Sequence, residues 1–230
     1  ATSLLPKFVD DMEMKMEYFD HCFIERDTLE TSDVVNGGAE LFLYQSGYLT
    51  IKGYDDGVYI LGFPNFEVRK ALYRVVVPAL TMKSNSEVVS AQSFLRKMMQ
   101  DGNTAEAKKA LKALIADVPY SNKKMASMDM EERYRLIMST IFRALGFRVE
   151  VERMLATGRI DMIVEVPSII YVLELKLSNN GGISAAVNQM KEKSYTEPFK
   201  ADKRKVIALA VELDETGKGL IDWKEVDESL

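Results

Sequence analysis

Two short stretches in the C-terminal half hold residue types that do chemistry: Gly158-Arg159-Ile160-Asp161 and Glu174-Leu175-Lys176. Asp161 and Glu174 are thirteen positions apart, and Pro167-Ser168 lies midway between them. Strand pairing symmetric about that turn sets 166 against 169, 165 against 170 and finally 161 against 174, so the two carboxylates oppose each other across a hairpin. Pro167 cannot take the positive φ of a type I′ turn, which predicts a loop of more than two residues. Alternation puts Lys176 on the same face as Glu174, about 6.6 Å further along, while Leu173, Leu175 and Leu177 point the other way. Opposed carboxylates with Cβ atoms about 5 Å apart repel by about 3 kcal/mol at an effective dielectric of about 20, or roughly two pKa units. A proton, nearby cations or a divalent metal relieves that cost, and ligation by oxygen alone suits Mg²⁺ or Mn²⁺ rather than zinc. The plainer alternative is a solvated strand edge on which Lys176 makes an ordinary cross-strand pair. Both acids fall on adjacent predicted strands between two helices, which favours the metal site.

Composition removes competing chemistries. His21 is the only histidine and Cys22 the only cysteine, so a Cys/His zinc site, a Cys-His dyad and a Ser-His-Asp triad have little to work with. The two are adjacent, and a strand would send them to opposite faces as packing and surface residues. Carboxylates, lysines and tyrosines are left as working groups. The chain has 230 residues, 47% hydrophobic and 28% charged, in the range of a globular protein and long enough for one large domain or two modest ones. Lys+Arg 30 against Asp+Glu 35 gives a net charge of -5, which argues against an indiscriminate nucleic-acid coat but leaves room for a local basic groove. No apolar run approaches the roughly 18 residues that span a bilayer, and the start lacks the pattern of a signal peptide. The expectation is a cytoplasmic protein with no membrane partner.

The elements that must position these residues are legible in outline. The chain opens on Ala1, so the start is either processed or the piece comes from a longer protein. Residues 1–19 read as an amphipathic helix, followed by a short strand at "HCFIE" and an apolar helix ending near Gly47. Two β-rich runs then flank Asp55-Asp56-Gly57, a hairpin signal. Helix, helix and hairpin outline a winged-helix-like domain over 1–72. A helical connector follows over 73–126: one helix that Pro78 kinks or ends, then two more with Ser86 and Thr104 as N-caps. The stretch 119–130 reads as a linker. The remaining domain, 127–230, runs helix, three strands, helix, two strands, an α/β core built on a mixed sheet and α+β overall with its N-terminal region. Its first helix puts Glu131, Tyr134, Met138, Ile141 and Leu145 on one stripe.

"GRID…ELK" in this frame resembles the PD-(D/E)XK nuclease superfamily, whose core is restriction-endonuclease-like. The chain also resembles the C-terminal region of proteins from Bacteroidetes and other anaerobes in which an AAA-type ATPase-like domain precedes the nuclease. The segments that carry this likeness are "QSGYLTIKGYDDGVYILGFPNFEVRKAL", "GRIDMIVEV", "YVLELKL", "AVNQMKEKSY" and "RKVIALAVEL", and similarity runs from about residue 1 to 224. The resemblance implies that Asp161 and Glu174 bind Mg²⁺ (or Mn²⁺) and that Lys176 activates the attacking water and steadies phosphoryl charge. It places the helix glutamate at Glu131, with Glu132 as the fallback. Gln189 and Tyr195 match the family's Gln and Tyr, set near the metal water or the nucleic-acid backbone; the alternatives are a helix-surface residue for Gln189 and core packing for Tyr195. Arg159 either contacts phosphate or pairs with a neighbouring acid, and Lys193 joins it as a nucleic-acid contact. No G-x-x-x-x-G-K-[ST] occurs, so the ATPase domain would be an upstream partner in the full-length protein rather than part of this chain.

The expected function is therefore metal-dependent hydrolysis of phosphodiester bonds in DNA, or in RNA, by a monomer or a homodimer. The alternative is a non-catalytic regulatory module that binds nucleic acid or protein through its N-terminal region, near Lys52 or Arg69, and carries an inactive nuclease-like core.

Overall fold

The computed structural model describes residues 16–31, 37–81, 83–116 and 129–227. Most of the helix expected over 1–19 and most of the linker expected over 119–130 lie outside these residues. The chain forms two compact units, Ala1–Val76 and Val77–Leu230.

The first unit is built around a three-stranded antiparallel sheet. A 3-10 turn at Met16–Asp20 leads into β1 (Cys22–Glu25), and the short helices α1 (Arg26–Glu30) and α2 (Gly38–Gln45) precede the hairpin β2 (Thr50–Asp55) and β3 (Val58–Gly62). Asp55 pairs with Val58, and Asp56 and Gly57 between them both take left-handed φ values of 41° and 85°. That is the requirement of a two-residue type I′ turn, and it explains why Asp-Gly marks the hairpin. β1 adds to the far side of β3, giving the order β1-β3-β2. Cys22 is buried while His21 is exposed with its ring against Phe23, so the adjacent pair splits between the two sides as strand geometry requires. Arg69, in α3 (Phe66–Thr81), pairs with Asp20 at 2.9 Å. Pro78 lies inside α3, which runs on to Thr81.

In the second unit, α4 (Asn85–Asp101) and α5 (Thr104–Ile115) begin elsewhere than the sequence suggested. The N-cap of α4 is Ser84, not Ser86. Its hydroxyl accepts from Glu87 N–H while the Glu87 carboxylate accepts from Ser84 N–H, a reciprocal capping box at S-x-x-E. For α5 the cap is Asn103, whose side chain accepts from Glu106 N–H, and Thr104 is already helical. In both cases the residue three positions ahead of a glutamate wins, because the cap must reach the N3 amide.

The C-terminal sheet has five strands in the order β4-β5-β6-β7-β8: β4 (Arg148–Leu155), β5 (Gly158–Glu165), β6 (Ile169–Leu177), β7 (Lys205–Leu213) and β8 (Leu220–Val226). Only β6 and β7 run parallel, because the helix α7 (Gly182–Lys193) connects them, and the other pairs are antiparallel. The helix α6 (Met130–Ala144) packs on β4, β5 and β6, and α7 packs on β6, β7 and β8. β6 is buried from Ile169 to Leu175, as a strand covered on both faces should be. Ile170 and Val172 of β6 and Ala208 and Ala210 of β7 pack with Ala186 and Met190 of α7. At the β8 end, Trp223 Nε1 donates to Thr104 O at 3.0 Å, and Tyr171 OH donates to Met99 O at 2.6 Å, tying α4 and α5 to the sheet. This mixed sheet is consistent with a restriction-endonuclease-like core. Ser84→Ala is expected to cost about 1 kcal/mol and Ser86→Ala under about 0.5 kcal/mol, measured by urea unfolding of the two variants.

Candidate active site

The hairpin of β5 and β6 pairs Glu165 with Ile170, Val164 with Tyr171, Ile163 with Val172 and Met162 with Leu173. Its loop is residues 166–168, longer than two residues, and is closed by Val166 N–H donating to Ile169 O at 2.9 Å. Extended by one step, the same register sets Asp161 opposite Glu174. There the side chain takes over from the ladder: Asp161 Oδ2 accepts the Leu175 N–H at 2.9 Å. Glu174 and Lys176 continue the face on which Ile170 and Val172 meet α7.

Asp161 is 4% exposed and Glu174 0%, so both carboxylates are withdrawn from water. Lys176 Nζ donates to Glu174 Oε1 at 2.8 Å, while Glu174 Oε2 is buried with no hydrogen-bond partner. Burial, followed by the charge of Asp161, pushes the Glu174 carboxyl up to about 8, against the lowering effect of Lys176. Burial works against the Lys176 ammonium, but the bond to Glu174 and the charges of Glu174, Asp161 and Glu131 outweigh it and leave its pKa raised.

The helix α6 brings in further groups. Asp129 caps it by accepting from Glu131 N–H, and the stripe Tyr134, Met138, Ile141 and Leu145 is buried. Glu131 is half-buried beside the site and Glu132 is exposed. Burial and then the charge of Asp161 raise the Glu131 carboxyl, with Lys176 and Arg135 pulling it back. One turn on, Arg135 is buried among three acids: Nη1 lies 3.0 Å from Glu152 Oε1, and Nη2 lies 3.4 Å from Glu131 Oε1 and 3.5 Å from Asp161 Oδ1. Neither Arg135 nor Glu152 stands among the residues expected from the sequence. The signal was present in the spacing, since Glu131 and Arg135 are an acid-before-base pair one turn apart on the buried stripe.

Of the remaining expected residues, Tyr195 is buried in the core beside Ala186 and Met190, Gln189 and Lys193 are half-buried and Arg159 is exposed. Gln189 Nε2 donates to the Tyr195 hydroxyl at 3.0 Å. Burial raises the Tyr195 phenol, the Gln189 bond opposes that, and the charges of Glu174 and Asp161 add to it. A Cβ on Gly158 would stand 3.2 Å from the Tyr195 hydroxyl and 3.6 Å from Lys193 Cγ, so a glycine there lets β5 approach both. Lys193 Nζ pairs with Glu192 at 3.0 Å. Of the two partners open to Arg159, the acid is the one it meets, with Nη1 2.8 Å from Glu152 Oε1.

No cluster of three or more His, Cys, Asp or Glu among the described residues is set to hold a metal ion. The pair Asp161 and Glu174 nevertheless fits a hard cation: its donors are oxygens, and one of them is buried and unbonded.

Residues 129–223 match the model of the PD-(D/E)XK nuclease superfamily, a span from the cap of α6 into β8. Over 216 residues the chain is 26% identical to an uncharacterized protein in the vnfD 5′ region of Azotobacter chroococcum mcd 1, covering 88% of this chain and 40% of that protein. The chain thus spans less than half the length of that relative. No solved structure matches it. Among the described residues, no helix is long and apolar enough to cross a membrane.

A raised carboxyl pKa has a stability consequence of definite sign. Glu174 binds its proton more tightly when folded, so the metal-free protein keeps that stabilisation below the ordinary glutamate range and loses it as pH rises toward 8. The loss is at most about 1.4 kcal/mol per pH unit and levels off above the folded value. Denaturant unfolding between pH 5 and 9 in chelator is expected to show that decline, and Glu174→Gln is expected to flatten it.

Proposed function

We propose that this chain is a metal-dependent nuclease of the PD-(D/E)XK type that hydrolyses phosphodiester bonds in DNA, with RNA as the other substrate of the same chemistry. The observation that carries the reading is the buried opposition of Asp161 and Glu174, one oxygen of which has no protein partner, with the Lys176 ammonium 2.8 Å from the other oxygen of Glu174. The family match over residues 129–223 supports it.

In this reading Asp161 and Glu174 hold Mg²⁺ or Mn²⁺. When bound, the ion supplies positive charge for the phosphate and lowers the pKa of its water. The Leu175 N–H fixes one oxygen of Asp161 and so orients the other. Lys176 stays charged and offers N–H donors to the attacking water and to the oxygens on which charge develops. Glu131, whose carboxyl pKa is raised, is placed to accept a proton on the α6 side. Gln189 and the buried Tyr195 hold each other beside the carboxylates, Lys193 contacts phosphate, and Arg159 stays paired with Glu152.

The wider proposal is of a cytoplasmic protein, in which an ATPase-like domain precedes this region in the full-length chain, the first unit is winged-helix-like, and the chain acts as a monomer or homodimer. Cleavage of single-stranded, duplex and branched DNA and of RNA in Mg²⁺ or Mn²⁺ tests the activity. Asp161→Asn and Lys176→Ala are each expected to lower the rate by about 10²- to 10⁴-fold. Rates unchanged in both variants would remove this site from the reaction. Duplex binding without cleavage in either metal would instead favour a binding module.

A further inference from the structure

Arg135 poses a problem of charge. Arg135 is 8% exposed, and its Nε is buried without a partner. A guanidinium cannot shed its proton to escape burial. Such a group persists only where carboxylates surround it, and here three converge from three elements: Glu131 of α6, Glu152 of β4 and Asp161 of β5. Nη2 stands between two of them, 3.4 Å from Glu131 Oε1 and 3.5 Å from Asp161 Oδ1. Two carboxylates facing a common point repel, and a proton, a side-chain cation or a divalent ion relieves that cost.

Glu152 completes the enclosure. In the β4–β5 register, Val151 pairs with Met162 and Arg153 with Ile160, which leaves Glu152 opposite Asp161. Its φ is 55°, a left-handed conformation uncommon for a non-glycine residue within a strand. Its Oε1 meets both Arg135 at 3.0 Å and Arg159 at 2.8 Å. Two guanidiniums therefore engage Glu152. Of the buried side-chain oxygens among the described residues, Glu174 Oε2 is the one without a hydrogen bond.

We propose that the Arg135 guanidinium fills a second cation position, between Glu131 and Asp161, so that the site accepts one divalent ion rather than two. This rests on the reading of Asp161 and Glu174 as metal ligands. Arg135 acts as a positioning residue: it holds Asp161 Oδ1 and Glu131 in place and keeps a second ion out.

Counting bound Mn²⁺ by electron paramagnetic resonance of the free ion tests this without an activity assay. The wild type is expected to bind one Mn²⁺ per chain and Asp161→Asn none. Arg135→Met, which frees Glu131 and Asp161, is expected to bind two, and Arg135→Lys, which keeps the charge, one. Two ions in the wild type or in Arg135→Lys, or one in Arg135→Met, overturns the proposal and leaves the metal reading of Asp161 and Glu174 standing. A wild type that takes up no Mn²⁺ overturns both. If circular dichroism shows Arg135→Met unfolded with and without Mn²⁺, the wild-type count decides: one ion sustains the proposal and two overturn it.

Discussion

The C-terminal unit is organised around a cost it carries in its centre: Asp161 and Glu174 face each other inside a sheet covered by helices on both sides. Two carboxylates in that setting repel and lose their hydration at once, and each loss alone is large on the scale of a domain's stability. The surrounding structure answers with specific donors. The Leu175 amide binds Asp161, the Lys176 ammonium binds one oxygen of Glu174, and the Arg135 guanidinium reaches Asp161 from α6. Burial and the charge of Asp161 also raise the Glu174 carboxyl pKa, which eases the charge on the pair.

Those donors need rigid elements to hold them. β6 supplies Glu174 and Lys176 on one face because successive side chains alternate, and its other residues are apolar enough to bury the strand from Ile169 to Leu175. α7 closes the face that Glu174 and Lys176 share, while α6 sets Glu131 and Arg135 one turn apart against β4 and β5. Binding and catalytic groups placed on helices and central strands are held more tightly than groups on loops. Here the acids and bases of the candidate site sit on α6, β4, β5 and β6, and the buried Tyr195 lies just past the end of α7.

Much of this was legible because it is local. A two-residue periodicity separates Glu174 and Lys176 from Leu173, Leu175 and Leu177. The symmetry of the hairpin about Pro167-Ser168 brings 161 to 174, and the ladder from Glu165–Ile170 to Met162–Leu173 follows that register. Asp56-Gly57 marks a turn whose two positive φ angles only a few residues tolerate. The caps stand one or two residues ahead of the expected Ser86 and Thr104 because Ser84 and Asn103 offer neighbouring side chains that can also cap. Only the position of the following glutamate distinguishes the residue whose side chain reaches the N3 amide.

The sequence by itself determined the alternation of strands and helices in the C-terminal half, the pairing of the two carboxylates and the presence of a lysine on their face. These follow from periods of two and 3.6 residues and from one turn, all within about twenty positions of chain. The tertiary structure alone decided which distant charges share the site. Arg135 and Asp161 are separated by a helix end, a strand and a turn, and Glu152, whose backbone is left-handed, meets both Arg135 and Arg159. Coulombic compensation depends on distance in space, which no sequence period encodes, so the cation that balances the buried acids became visible only when α6 was laid across the sheet.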